Sequence, residues 1–305
     1  MLNVWKIDRF ALHDGPGIRT LIYCKGCPLR CIWCSNPEGQ GPEPNLVFVQ
    51  TKCIGCGLCV DSCLNKALQL GTSSAADKYE VQIDRANCNM CGDCVSVCSP
   101  KALEVWGRFY SIPELLEIIE QGRQVYQKSG GGITLTGGEP LYQWKDVREL
   151  LQGCHQRGIH TAVETCAYSN EEHFEQMLHQ VDWLFIDLKH MDSDAHLKLT
   201  GKRNDLILRN TRLASAVLAR RRKVLVIRMV VVPGINDGEN ISAIVNFVGS
   251  LPYVEGIELL PYHRYGAHKY SLLGRTYGLA DLEPPSSEAM VRYRKLIESY
   301  GRACI

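Results

Sequence analysis

Twelve of the fifteen cysteines in this 305-residue chain fall between Cys24 and Cys98. Three of them, Cys27, Cys31 and Cys34, are spaced x3 then x2. Eight more form two runs with spacing x2, x2, x3: Cys53, Cys56, Cys59, Cys63 and then Cys88, Cys91, Cys94, Cys98. Thiolates are soft ligands, and clustered thiols in a reducing compartment mean metal before they mean disulfides. A secreted disulfide framework needs a secretion route, and the opening MLNVWKIDRF is too short and too polar for a signal peptide. Cys154, Cys166 and Cys304 lie outside the clusters and are left to core packing.

Both runs read CxxCGxCVxxC followed by KAL. This spacing resembles bacterial ferredoxins that carry two [4Fe-4S] clusters, where the fourth cysteine of each run ligates the other cluster. One set is then Cys53, Cys56, Cys59 and Cys98, the other Cys88, Cys91, Cys94 and Cys63. Two zinc knuckles are the alternative, although zinc pairs usually have a longer connector. Leu64 and Ser99 stand where ferredoxins prefer proline, and Pro100 arrives one residue late. Ile54, Val60, Val95 and Val97 are expected to pack against the clusters. GTSSAADKYEVQID reads as a loop and then a short strand near Glu80 to Asp84.

Three thiolates cannot complete a [4Fe-4S] cluster, so one iron would be open to a chelating substrate, as in catalytic zinc sites. Cys24 as a fourth thiolate on zinc is the alternative. The order of further pieces is informative: HDGPGIRT from His13, GCPLRCIWCSNPE from Gly26, TLTGGEP from Thr134, DLK at Asp187 to Lys189, VVVPGIND from Val230, and LPYH ending at His263. Together they resemble the radical S-adenosylmethionine (SAM) superfamily, and more narrowly the activating enzymes of glycyl radical enzymes, the pyruvate formate-lyase activase family. The resemblance covers essentially the whole chain.

The resemblance implies that Cys27, Cys31 and Cys34 hold a third [4Fe-4S] cluster whose open iron binds the amino and carboxylate groups of SAM. Gly137, Gly138 and Glu139 would contact the SAM ammonium, Lys189 its carboxylate, and His263 would lie beside it. Asp187, Glu164 and Thr165 would hold a monovalent cation, with Glu164 where the family has aspartate. Arg228, a charge inside VLVIRMVVV, needs a carboxylate or SAM as partner. His13, Asp14 and Gly15 to Arg19 would lie near the mouth where a partner loop enters. Cys24 is implied to be a bystander. Each piece also has a plainer reading: GGEP as a turn with a solvated glutamate, Asp187 and Lys189 as a local salt bridge, His263 as a core histidine.

The implied reaction is reductive cleavage of SAM to a 5′-deoxyadenosyl radical that takes the Cα hydrogen of a glycine in a partner glycyl radical enzyme. Reduced flavodoxin or ferredoxin would supply electrons through the two inserted clusters. The insert favours the branch serving dehydratases, decarboxylases and C–N or C–S lyases. A radical SAM enzyme acting on a small molecule or a peptide, and a simple electron carrier, are the other readings.

These residues need elements to position them. SIPELLEIIEQGRQVYQKS reads as a helix from Ile112 to Lys128, with Ser111 and Glu114 as a capping box. Six almost continuously apolar strands (TLIYC, ITLTG, IHTAVETC, WLFIDLK, KVLVIRMVVVP, GIELLPY) alternate with helices, as a covered parallel sheet requires. A doubly wound sheet would satisfy the alternation; the resemblance selects a partial (β/α)6 TIM-like barrel over 1–49 and 106–305, with a ferredoxin-like domain inserted at 50–105. The net charge of +1 gives no electrostatic footprint for nucleic acid. The chain has no run of eighteen apolar residues, so no membrane span is expected, and the cytoplasm is the expected compartment.

Overall fold

The computed structural model describes residues 1–72 and 79–305. Its strands are β1 (Leu2–Ala11), β2 (Arg19–Cys24), β3 (Asn45–Phe48), β4 (Leu68–Thr72), β5 (Tyr79–Ile83), β6 (Leu103–Trp106), β7 (Arg108–Tyr110), β8 (Gly132–Gly137), β9 (His160–Thr165), β10 (Trp183–Asp187), β11 (Val224–Val231) and β12 (Gly256–Pro261). Eight of these form one sheet in the order β12-β11-β10-β9-β8-β2-β1-β7. The strands β2, β8, β9, β10, β11 and β12 are all parallel neighbours in chain order. A doubly wound sheet would reverse its order at a switch point, and this one does not.

Apolar runs explain the sheet. Ile22, Ile133, Leu135, Val163, Leu184, Ile186, Leu225 and Ile227 are completely buried in a single core. The returning helices Trp144–Gln156, Glu171–Leu178, Asp205–Arg221 and Glu239–Gly249 alternate with these strands, as the sequence pattern expects. The expected helix from Ile112 to Lys128 is instead two, Ile112–Glu120 and Arg123–Ser129. The Tyr126 ring sits on Gly122, where a Cβ would come within 2.3 Å of it, so the chain breaks there. The capping box is present: the Glu114 N–H donates to Ser111 Oγ, and Glu114 Oε2 accepts from the Ser111 N–H. The sequence pattern did not mark β1, which adds antiparallel to β2, nor the helices Ser193–Thr200, Ala267–Leu272 and Ser287–Ser299.

Between β2 and β8 the chain builds a small module. β3 and β6 pair as an antiparallel stem, and β4 and β5 form a hairpin that contains the expected strand. Most of the loop expected before it, residues 73–78, lies outside the described residues. Each cysteine run ends in one helical turn, Leu58–Asp61 and Asp93–Ser96. Gly57 and Gly92 begin these turns in the left-handed region, which glycine enters without penalty. Leu46, Leu68, Val81 and Leu103 make the core, with Val60 and Val95 against it. Ile54 and Val97, expected against a cluster, line the hollow among Cys53, Cys56, Cys59 and Cys98.

Candidate active site

Parallel strands in chain order bring all their carboxyl ends to one edge, and the chemistry-bearing residues meet there. One cavity is lined by Cys27, Cys31 and Cys34 after β2, Gly137 and Gly138 at the end of β8, and Glu164 on β9. Asp187 and Lys189 at the end of β10, Arg228 on β11 and His263 after β12 complete it. The thiol loop is pinned from several sides. The Cys27 N–H donates to the Gln40 carbonyl, those of Arg30 and Ile32 to Thr200 and Leu199, and the Cys34 N–H turns back on Cys31. Tyr270, itself buried, donates its hydroxyl to the Cys34 carbonyl at 3.0 Å.

Burial pushes the Cys31 thiol up to about 12 and raises Cys34, while the nearby Lys189 ammonium opposes both. Such thiols deprotonate readily only when a metal compensates. Cys27 is shifted down, chiefly by the neighbouring Cys166 thiol. Cys166 is the site residue that the sequence reading left to packing; its position at the strand end after Glu164 and Thr165 was the available signal. Burial, the neighbouring Cys27 and the Glu139 charge hold it well above the ordinary range, which disfavours the thiolate form that binds metal. Cys24 is wholly buried in the main core and does not line the cavity, which removes it as a fourth zinc thiolate. Among the described residues no three Cys, His, Asp or Glu converge as the ligands of one metal ion do.

Gly138 sits against backbone. Its N–H donates to the Cys24 carbonyl at 2.8 Å, and a Cβ would lie 2.3 Å from the Gly39 oxygen and 2.5 Å from that of Gly26. The glycine is therefore needed to seat the end of β8 on the thiol loop, and its carbonyl is what remains to offer an ammonium. Glu139 is not solvated, and it does not line the cavity: it is 1% exposed. Its carboxylate accepts from the Leu141 N–H at 3.0 Å, Thr165 Oγ1 at 2.7 Å and the Cys166 N–H at 2.7 Å. It ties the ends of β8 and β9 together rather than presenting a free oxygen to a ligand. Burial raises its pKa, and these donors oppose the shift.

Arg228 has found carboxylates. Nη1 lies 2.5 Å from Glu164 and Nε 2.6 Å from Glu258, and the guanidinium covers the Phe185 ring. Thr136 donates to the other Glu164 oxygen at 2.6 Å. Both Glu164 oxygens are thus engaged, one by a cation already, and the Thr165 hydroxyl donates to Glu139. The expected monovalent-cation ligands Glu164, Thr165 and Asp187 all line this cavity. Asp187 lies 3.4 Å from Lys189 Nζ, whose 14% exposure leaves it on the cavity wall. Burial works against the Lys189 charge, but Asp187 and the thiols outweigh it and raise the pKa. His263 is exposed at the rim, stacked on Tyr265 at 4.5 Å, and is not a core histidine.

A second cavity adjoins the first and adds Asp14, Tyr23, Tyr265 and Lys269 to shared walls. Asp14 faces Glu164 there. Arg19 of the same HDGPGIRT segment is fully buried and donates to Thr134 Oγ1 at 2.6 Å and the Pro16 carbonyl at 2.9 Å, which fixes that segment beneath the site.

The module holds two further cavities. Cys63, Cys88, Cys91 and Cys94 line one, and Cys53, Cys56, Cys59 and Cys98 line the other, among mostly apolar neighbours. Each set takes its fourth thiol from the other run, despite Leu64 and Ser99 in the proline positions. The crossing thiols are equivalently held, with Ala67 and Ala102 N–H groups each 3.2 Å from Cys63 and Cys98 Sγ. Four soft donors around an apolar hollow fit a cubane of iron and sulfide.

An α/β sheet with a three-cysteine loop at its carboxyl edge and a dicluster module defines an iron–sulfur protein of the radical SAM type. Residues 86–248 match the Radical SAM superfamily and residues 52–102 the 4Fe-4S dicluster domain. The chain is 41% identical to the choline trimethylamine-lyase activating enzyme of Oleidesulfovibrio alaskensis, over 95% of this chain and 94% of that one. It is 36% identical to the trans-4-hydroxy-L-proline dehydratase activating enzyme of Clostridioides difficile, over 97% and 96%. It is 39% identical to the benzylsuccinate synthase activating enzyme of Thauera aromatica, over 98% and 91%. A solved domain of a pyruvate-formate lyase-activating enzyme from Bacteroides vulgatus covers 57% of this chain and 98% of its own, at 32% identity and a TM-score of 0.47. The chain belongs to the radical SAM superfamily and, within it, to the activating enzymes of glycyl radical enzymes. No helix among the described residues is long and apolar enough to cross a membrane.

Proposed function

We propose that this chain activates a glycyl radical enzyme by cleaving SAM in the cavity at the sheet's carboxyl edge and directing the 5′-deoxyadenosyl radical at one glycine Cα–H of its partner. The observation that carries the reading is the meeting of Cys27, Cys31, Cys34, Gly137, Gly138 and Lys189 in one cavity. A [4Fe-4S] cluster on the three cysteines supplies the electron for this cleavage. Lys189 offers the charge for the SAM carboxylate, and the carbonyls of Gly137 and Gly138 suit its ammonium. Glu139 and the Arg228–Glu164–Glu258 network hold these walls in place. His263 and Asp14 border the opening through which a peptide loop reaches the site.

The six parallel strands form a partial (β/α)6 barrel over 1–49 and 106–305, and the insert at 50–105 carries two more clusters on its crossed cysteine sets. Its stem pairs β6 with β3, the last strand of the 1–49 segment. Reduced flavodoxin or ferredoxin is the electron donor. The partner belongs with the lyases, dehydratases and synthases that the relatives activate, in the cytoplasm, where thiols remain reduced.

Electron paramagnetic resonance of anaerobically reconstituted, dithionite-reduced protein tests this. About twelve irons, as three four-iron clusters require, and a signal altered by SAM are expected, followed by a glycyl doublet on mixing with the right partner. About eight irons with no SAM response would overturn it.

A further inference from the structure

The helix Ala267–Leu272, which the sequence pattern did not mark, touches both halves of the protein. Toward the radical site, Tyr270 donates to the Cys34 carbonyl at 3.0 Å. Lys269 reaches the Ser35 carbonyl and Asn36 Oδ1 at 3.1 Å each and Glu38 Oε1 at 2.5 Å. Gly266, just before the helix, lies so close to Ser35 that a Cβ would come within 2.6 Å of its oxygen. At its other end the Leu272 carbonyl accepts from Arg85 Nη2 at 3.2 Å. Arg85 also donates through Nη1 to the Leu46 carbonyl of β3 at 2.8 Å. It belongs to the turn Asp84 to Cys88, which the Cys88 N–H closes on the Asp84 carbonyl at 3.1 Å. A short path therefore runs from Cys88 through Arg85 and the helix to Cys34.

A second observation orders the two cysteine sets. The stem of the module joins the barrel at its Asn45 end, where Lys25 Nζ donates to Asn45 Oδ1 at 2.8 Å. Leu46 and Val105 of the stem border the Cys63, Cys88, Cys91, Cys94 cavity. Phe48 and Leu103, two residues farther along each strand, border the Cys53, Cys56, Cys59, Cys98 cavity. Two residues of strand are ~7 Å, so the first cavity lies on the barrel side and the second is remote.

We infer that the thiol set Cys63, Cys88, Cys91 and Cys94 is the relay next to the radical site, that the Cys53 set is one step farther out, and that Arg85 is the positioning residue that docks the relay onto the helix Ala267–Leu272. The inference rests on the three-cluster reading above. In the transfer, the relay cluster is oxidised by one electron and the site cluster reduced by one, with no bond or proton change. The electron originates in a reduced one-electron carrier protein.

The test uses holoenzyme shown by iron analysis to contain all three clusters; failure there is failure of the proposed function, not of the order. Spin relaxation of the reduced site cluster, recognised by its response to SAM, reads out its nearest paramagnet. Cys91→Ala is expected to abolish the relaxation enhancement, and Cys56→Ala to leave it. The reverse pattern, or equal effects, would overturn the order. Arg85→Ala keeps every ligand. It is expected to lose carrier-driven reduction of the site cluster while the insert clusters still reduce and dithionite still reduces all three. Arg85→Lys, with a donor for one carbonyl, is expected to restore part of the loss. Unchanged carrier-driven reduction in Arg85→Ala would overturn the role of Arg85.

Discussion

Arg228 and Glu164 are 2.5 Å apart across the sheet interior, with β10 between their strands. The pair is 8% and 15% exposed, and Glu258 sits on the other side of the guanidinium. A charge so placed is satisfied only while both acids remain, and removing it strands two carboxylates in a poorly solvated wall. Arg228→Met is therefore expected to destabilise the protein by roughly 3 kcal/mol, the loss typical of breaking a buried pair. Anaerobic denaturant unfolding of the reconstituted protein measures it. Glu164→Gln keeps the Thr136 contact and is expected to cost less. Wild-type stability in Arg228→Met would show that the two acids hold no charge to compensate.

Gly138→Ala examines the seating of β8 on the thiol loop. The added carbon meets two carbonyl oxygens at 2.3 and 2.5 Å, so the backbone must move. The expected outcome is loss of iron from about twelve to about eight per chain, with the insert clusters retained. Full iron content with an unaltered response to SAM would remove that constraint.

Glu139→Gln keeps shape but replaces an acceptor with an amide that must point a donor at one of three existing donors. Hydrogen bonds to a charged group are worth about 1.5–3 kcal/mol, and more than one is weakened. A lower melting temperature and a weaker SAM effect on the site signal are expected. If stability alone falls and the SAM effect persists, Glu139 serves the fold and not the geometry of the cavity.

The cysteine spacing was the most legible part of this protein because ligand geometry ties spacing to chemistry directly. The crossed cavities follow from the resemblance of the two runs to two-cluster ferredoxins, and the six parallel strands follow from their apolar patterns. The fates of Glu139 and Glu164 were not legible. Their partners, Cys166 N–H and Arg228 among them, are 27 and 64 residues away and meet them only through strand order. The bridging helix was hidden for a different reason: six residues carry too little periodicity to mark it. Cys166 shows the same limit, since a lone cysteine ordinarily packs and only its strand-end position set it apart.

Asp14 gives a pH signature. Burial first, then the facing Glu164, raises its pKa to about 6, with Arg228 and His13 opposing. The folded state therefore keeps a proton between about pH 4 and 6 that the unfolded chain has released. Raising the pH through that window withdraws it, so this group makes the protein less stable as pH rises, fully so above pH 6. Asp14→Asn removes the penalty and is expected to melt higher than wild type at pH 7, with the gap narrowing as pH falls toward 5. Glu164→Gln, which replaces the facing charge, is expected to flatten the same slope, because two facing carboxyls share their titration. Anaerobic melting profiles of the three proteins at matched iron content decide it. Parallel profiles for wild type and Asp14→Asn would mean that Asp14 is already ionised beside Glu164, with solvent or Arg228 carrying the compensation.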